Sequence, residues 1–272
     1  MSSVLEKSLA ILELMVEHPK GMQVSAIARA LDMPVSGAHR TLRELARLGY
    51  VRQERDQGDY VLTIRLAALG LGFLGRAGVT DIAQPILDRL AQISGELIRL
   101  SVLDRRGLTW VAVAQGATVG LRYDPGREQG MQVHPASTAG GQALLATMRD
   151  EEILTLVGET GLAPEGPGPT PGAPASIAAL METIAETRRR GYSVAVNSYI
   201  DGMGAMAVAI RAGGVADGRV LGCLSIAGPA VRLPLARMEA LAPALLEAAH
   251  DIGTAAPASH YFAGLLKDTD AA

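Results

Sequence analysis

Between residues 35 and 48 the polar and apolar positions separate onto opposite sides of a helix. At about 100° per residue, Ala38, Leu42 and Leu45 fall in one narrow stripe. Ser36, Arg40, Arg43 and Arg47 fall in the opposite stripe, with His39 at its edge. The same period extends upstream. Residues 4–17 predict a first helix with Leu5, Leu9, Leu12 and Val16 at helical spacing, ended by His18-Pro19 and Gly21. Ser25 is placed to cap a short second helix running through Leu31. Asp32-Met33-Pro34 then makes a tight turn, Pro34 opens the third helix and Gly49 stops it. Beyond Gly49 two short β-prone runs, Tyr50-Val51-Arg52-Gln53 and Tyr60-Val61-Leu62-Thr63, flank a polar loop with a late Gly58. Three helices followed by a hairpin are the elements of a winged helix-turn-helix.

Residues 64–75 keep a helical pattern but carry apolar residues on several sides. A linker helix of this kind is expected to pack on the winged domain and also on a second chain, although burial within one chain would give the same pattern. A further helix, about Ile82 to Ser94, places Ile86, Leu87, Leu90 and Ile93 on one side, to lie on a sheet. From Leu97 the period is that of strands: Leu97–Leu103, Thr109–Gln115 and Gly120–Tyr123. Residues 137–148 return to helix, 158–176 are loop because of their Pro and Gly content, and 177–190 are helix. The run Arg188-Arg189-Arg190-Gly191 reads as a helix C-terminus complementing its dipole rather than a nucleic-acid patch. Strands follow at Tyr192–Asn197, Ala205–Arg211 and Arg219–Ala227, then an amphipathic helix over 234–252. The order predicts an α+β protein whose antiparallel sheet has helices on one face and other helices closing a cleft. The expected organisation is a winged domain at 1–63, a linker helix at 64–78, a second domain at 79–254 and a tail at 255–272. In that tail Tyr261, Phe262, Leu265 and Leu266 are apolar and able to pack on a neighbour.

Composition narrows this picture. A chain of 272 residues suits two cores better than one. Its apolar runs fall short of the ~20 residues that span a bilayer, and residues 1–20 lack the order of a secretory signal. The expectation is a cytoplasmic protein with no membrane partner. Cys223 is the only cysteine, which excludes an intrachain disulfide and a cysteine-based zinc site. The net charge of −3 does not exclude DNA, because residues 34–65 hold six Arg against four acidic residues, a local balance of +2. Guanidinium forks can bond guanine edges or phosphates, and a hairpin tip with Arg55 and Gln57 suits a phosphate backbone or minor groove. The expected contacts to double-stranded operator DNA are therefore Ser36, His39, Arg40, Arg43, Arg47, Arg55 and Gln57. Three arginines on one helix are also compatible with a merely solvated face; the surrounding helices and hairpin are what favour DNA. So modest a charge calls for several copies of the module, a homodimer or a dimer of dimers.

This segment resembles the IclR family of bacterial transcriptional regulators, and the resemblance extends over nearly the whole chain. It rests on Val35-Ser36-Gly37-Ala38-His39-Arg40-Thr41-Leu42, Leu48-Gly49-Tyr50-Val51 and Tyr60-Val61-Leu62, then on Ala139-Gly140-Gly141-Gln142-Ala143-Leu144-Leu145-Ala146, Arg190-Gly191-Tyr192 and Leu224-Ser225-Ile226-Ala227-Gly228-Pro229. The family often has Lys where Gln142 stands, Gly where Thr63 stands, an acidic pair where Asn197 and Ser198 stand, and Cys or another small residue near Ala205. The resemblance implies a GAF-like effector domain that binds a small organic acid and modulates DNA affinity.

The second domain shows no metal cluster, GxSxG, phosphate loop or paired carboxylates at useful spacing. No catalytic residue, cofactor or metal is expected, and the chain does not read as an enzyme. Cys223 follows Gly222 in an apolar strand and reads as a buried structural thiol; His134 sits beside Pro135 in a turn. Ser137-Thr138-Ala139-Gly140-Gly141 leads into a helix whose free N–H groups and dipole favour an anion such as a carboxylate, or else it is an ordinary Ser/Thr cap. Carried over from the family, the effector walls would be Thr138, Ala139, Gly140, Asn197, Met203, Ala205 and Ser225, with Leu121, Tyr123 and Val133 closing the cleft. Tyr123 rather than Arg122 is expected inward, since strand neighbours face opposite ways. A different class of function also fits the residues alone: a small-molecule enzyme or sensor with an N-terminal protein-interaction module.

Overall fold

The computed structural model describes residues 3–55, 58–105, 107–164 and 170–267. They fall into two compact units that meet between Leu74 and Gly75.

In the first unit α1 (Val4–Val16) opens with a reciprocal cap. The Ser3 hydroxyl accepts from the Glu6 N–H at 3.1 Å, and the Ser3 N–H donates to the Glu6 carboxylate at 2.6 Å. Next come α2 (Val24–Ala30) and α3 (Val35–Arg47), then β1 (Val51–Gln53) paired antiparallel with β2 (Tyr60–Leu62). Met22 bridges to Tyr60 and widens this hairpin. α3 buries Ala38, Leu42 and Leu45 as its period predicts, and Leu42 and Leu45 close on Ile11, Met15, Ile27 and Val51. α1 departs from expectation: Ile11, Leu12 and Met15 face the core, while Leu5, Leu9 and Val16 are exposed. The helix carries two apolar stripes that share Leu12, and periodicity cannot choose between them. Ser25 makes no cap either; it lies inside α2, and Gln23 holds the cap position without a side-chain bond. Pro34 stands one residue before α3, as its cap.

Gly49 ends α3 at φ +80°, a conformation that favours glycine. The Thr63 hydroxyl donates to the Gly49 carbonyl at 2.6 Å and accepts from the Arg65 N–H at 3.3 Å. One hydroxyl thus ties the exit of α3 to the start of α4 (Ile64–Ala77). On α4 the side chains of Ile64, Leu69, Leu71 and Phe73 are more than half exposed, and Ala77 is the buried one.

The second unit is built on a five-stranded antiparallel sheet. α5 (Val79–Ser94) leads to β3 (Leu97–Asp104) and β4 (Gly107–Gln115). Three helices follow, α6 (Ala139–Leu145), α7 (Asp150–Thr160) and α8 (Ile177–Arg190). Then come β5 (Ser193–Val196), β6 (Met203–Arg211), β7 (Val220–Pro229), α9 (Leu235–Ala255) and α10 (His260–Lys267). The strand order is β4-β3-β7-β6-β5. One face packs on α5 and α9 through Leu87, Leu90, Met238, Leu241, Leu245 and Ile252. The other face meets α6 through Ala139, Ala143 and Leu144. α6 in turn rests Leu145 on Ile153 and Val157 of α7 and on Leu180 and Ile184 of α8.

Four expectations change here. Residues 120–123 are not a strand: Gly120 takes φ +75°, and Asp124 caps a 3₁₀ turn at Pro125–Arg127. β4 is met further along instead: Gln132 bridges to Thr109, and the Gly130 and Val133 N–H groups donate to the Trp110 and Leu108 carbonyls at 2.9 and 2.8 Å. α7 runs into the stretch expected to be loop, starting where the Glu152 carboxylate accepts from the Arg149 N–H at 2.9 Å and ending at Gly161. Ile93 of α5 is exposed; Ala83, Leu87, Leu90 and Ala91 form the buried side. The tail is α10, with Phe262 buried in the core of its own unit and Tyr261, Leu265 and Leu266 packed against that core.

Candidate functional site

On α3 the side chains of Ser36, His39, Arg40, Arg43 and Arg47 are all exposed, on the side away from Ala38, Leu42 and Leu45. His39, Arg40, Arg43, Glu44 and Arg47 rim a shallow hollow. Arg47 is held by Glu44 at 2.9 Å, whereas Arg40 and Arg43 form no ion pair among the described residues. Two guanidinium groups one turn apart therefore project from a helix anchored from behind. Arg55 is exposed in the hairpin connection, where its carbonyl accepts from the Gly58 N–H at 2.8 Å. Gln57 lies outside the described residues.

The second site is a small, partly open cavity between the sheet and α6, about 50 Å³. Side chains of directly opposed residues share a face. One row across the sheet runs Leu97, Ala227, Ala205, Ala195; the next runs Arg99, Ser225, Ala207, Ser193. Alanine or serine at six of these eight sheet positions, under a short helix, leaves the space. β4 supplies the far wall through a bulge. Leu100 lies opposite Ala112, but Ser101 lies opposite Trp110, so Val111 is left over. The extra residue reverses the alternation: Leu108 and Trp110 face the cavity side, Ala112 and Ala114 the α5 side.

Of the residues expected to hold an effector, Thr138, Ala139, Gly140, Met203, Ala205 and Ser225 line this cavity. The Thr138 hydroxyl caps α6, accepting from the Gly141 N–H at 2.9 Å and donating to the His134 carbonyl at 2.8 Å. Gly141 is required by space, since a Cβ there would stand 2.4 Å from the carbonyl oxygens of His134 and Pro135. Val133 is buried beside Ala139 in the apolar cluster. Leu121 is exposed and stands outside the lining; its carbonyl accepts from the Arg232 guanidinium. Asn197 also stands outside the lining. It takes φ +53°, which Asn tolerates better than most residues, and its side chain accepts from the Gly202 N–H at 2.8 Å. Its work is to shape the turn that presents Tyr199 and Ile200 to the cavity. Arg122 is exposed and Tyr123 turns inward against Arg99, from a loop and not through strand alternation; Tyr123 and Val133, like Leu121 and Asn197, stand outside the lining itself.

Arg99, Trp110, Tyr199 and Ile200 line the cavity without having been foreseen, and Ser137, expected at the entry to α6, joins them. Two signals were available: a charged residue inside the apolar run of β3, and the single tryptophan of the chain. Arg99 is 6 % exposed. Its guanidinium carbon lies 4.7 Å from the ring centre of Trp110 and 5.1 Å from that of Tyr123. Nη1 is 2.6 Å from the Glu128 carboxylate, and the Tyr123 hydroxyl donates to the other oxygen of that carboxylate. Nε of Arg99 has no hydrogen-bond partner among the described residues. Burial, and then the bond to Glu128, push the Tyr123 phenol well above its ordinary value, and burial raises Tyr199 as well. Cys223 lies under the cavity floor, where burial pushes its thiol up to about 12, so it stays protonated. His134 is held by Ser137 at 2.9 Å and by the Thr160 carbonyl at 3.3 Å, outside the lining, and burial lowers its basicity.

These two sites can be set beside known proteins. Residues 72–254 match the model of the bacterial transcriptional regulator IclR C-terminal domain, and residues 4–55 match the IclR helix-turn-helix domain. The chain belongs to the IclR family of transcriptional regulators and is a DNA-binding regulator of the helix-turn-helix type. It is 27 % identical over 255 residues to the HTH-type transcriptional repressor AllR of Salmonella paratyphi A, covering 93 % of this chain and 90 % of that one. An IclR homolog from Microbacterium hydrocarbonoxydans, solved in complex with 4-hydroxybenzoate, superposes with a TM-score of 0.74 at 26 % identity, covering 94 % of this chain and 100 % of that chain. The IclR transcriptional regulator from Alicyclobacillus acidocaldarius shares the fold at a TM-score of 0.77 and 22 % identity, covering 93 % and 98 %. Among the described residues no single helix is long and apolar enough to cross a membrane.

Proposed function

We propose that this chain is an effector-responsive regulator: α3 and the hairpin hold operator DNA, and the cavity beside α6 holds a small organic acid that changes DNA affinity. The observation that carries the reading is the free pair Arg40 and Arg43, projecting from the side of α3 opposite its buried stripe. Ser36, His39, Arg47, Arg55 and Gln57 complete the proposed contact set. The cavity supports ligand binding, since it offers apolar walls, neutral hydroxyls and the guanidinium of Arg99. The 4-hydroxybenzoate bound by the Microbacterium homolog supports an organic acid as the class of ligand. The outward apolar residues of α4 support pairing with a second copy, which would give two DNA-reading helices for a two-fold site. The proposed place of action is the cytoplasm. The test is a salt-dependent gel shift of the chain's own promoter region. Arg40→Ala and Arg43→Ala should each weaken binding by about 1–3 kcal/mol if they bond base edges; full affinity in both removes them from the interface.

A further inference from the structure

Resting on that reading of the cavity, we propose that Arg99 reads the acid group of the effector, and that Glu128 is a built-in carboxylate which the effector displaces. The arrangement of Arg99 points this way. Its guanidinium is held between the Trp110 and Tyr123 rings, so its plane is fixed before any ligand arrives. Nη1 stands 2.6 Å from Oε2 of Glu128 as an ion pair, although that oxygen makes no hydrogen bond among the described residues. Nε, buried and without a partner among the described residues, belongs to a side chain that lines the cavity. The Nε edge of a guanidinium is one that takes a carboxylate through two parallel bonds. A buried N–H left unmatched is costly, and a carboxylate oxygen bound beside it in the cavity would supply the match.

Charge decides what happens next. Arg99 and Glu128, both nearly enclosed, already form a neutral pair. A ligand carboxylate added to that pair would leave one uncompensated negative charge in a poorly solvated place. The neutral alternative is exchange, with Glu128 leaving as the ligand enters. Glu128 sits at the end of the 3₁₀ turn that follows Tyr123, and Tyr123 bonds it directly. The same segment is fastened by Gln115, whose side-chain N–H donates to the Tyr123 carbonyl at 2.9 Å, and by Arg232 at Leu121. Exchange at Arg99 therefore loosens the segment from its inner end while its outer fastenings hold. Arg99 sets the specificity, and the 121–128 segment reports that the site is filled.

Trp110 is the only tryptophan and lies against Arg99, so its emission reads the site directly. The full-length chain is titrated with 4-hydroxybenzoate and, separately, with the uncharged 4-hydroxybenzamide. Glu128→Gln keeps the shape and removes the competing charge. It should tighten 4-hydroxybenzoate by about tenfold or more and leave the amide unchanged. Tyr123→Phe, which only loosens Glu128, should move the acid the same way by a smaller factor. The double variant Arg99→Gln/Glu128→Gln should lose the preference for the acid. Equal affinity of wild type and Glu128→Gln for the acid, or no binding to either at millimolar concentration, overturns the exchange. Ala205→Leu separates the two levels. If it leaves acid binding intact, the probe binds elsewhere and the cavity reading itself falls. If it abolishes binding while Glu128→Gln changes nothing, the exchange alone falls.

Discussion

The two faces of the five-stranded sheet use the same strands, the same register and the same alternation, yet one is filled and the other is hollow. Toward α5 and α9 the rows read Ile98, Ile226, Met206, Val194 and Leu100, Leu224, Val208. Toward α6 they read Leu97, Ala227, Ala205, Ala195 and Arg99, Ser225, Ala207, Ser193. Branched side chains reach the helices on the first face and close the gap. Alanine and serine on the second stop short, and α6, only seven residues long, does not sink to meet them. Apart from Arg99 both faces lack charge, and side-chain volume is what separates a core from a cavity.

The contrast can be broken most strongly on the filled side. Leu224→Ala removes a fully buried side chain at the centre of the sheet and should cost about 2–5 kcal/mol in urea denaturation. A loss below about 1 kcal/mol would mean that the filled face is no tighter than the hollow one. On the hollow side Ala205→Leu enters existing space, so its cost should stay under about 1.5 kcal/mol. It should nevertheless abolish acid binding in calorimetry. The smallest effect concerns His134, in the loop that leads to α6. Burial lowers its folded-state value from the usual 6.5, so in the window just below 6.5 the unfolded chain binds more protons than the folded one. Its contribution is complete above that window and is lost as pH falls through the lowered value. Thermal melts between pH 7.5 and 5 should decline less steeply in His134→Gln than in wild type.

The winged unit was largely legible because its helices are amphipathic: α3 pins Leu42 and Leu45 inward and so fixes where Arg40 and Arg43 point. α1 shows the limit, since two apolar stripes share Leu12 and only packing selects Ile11 and Met15. In the cavity the small-residue walls Thr138 to Gly140, Met203, Ala205 and Ser225 were reached through family resemblance. The register that places Arg99 beside Trp110 was not. It depends on a pairing offset within β3 and β4, which period-2 reasoning assumes away. Asn197 was carried over from the family as a wall of the effector site, while its left-handed backbone makes it a turn former here. The strand expected at residues 120–123 failed because β-prone residues there have Gly120 before them and Pro125 after them, and turn geometry overrode propensity.

The leftover Val111 acts as a change of parity in β4. Before it, even-numbered residues look into the cavity; after it, even-numbered residues look toward α5. The two halves of the strand can therefore be edited separately. Losing the codon for Val111 would restore plain alternation with Trp110 and Ala112 on their present sides. Losing the codon for Trp110 instead would hand Val111 the place opposite Ser101, exchanging an indole for an isopropyl group and enlarging the chamber while the downstream pairing stays in step. A single in-frame deletion is thus a short evolutionary route from one effector size to the next.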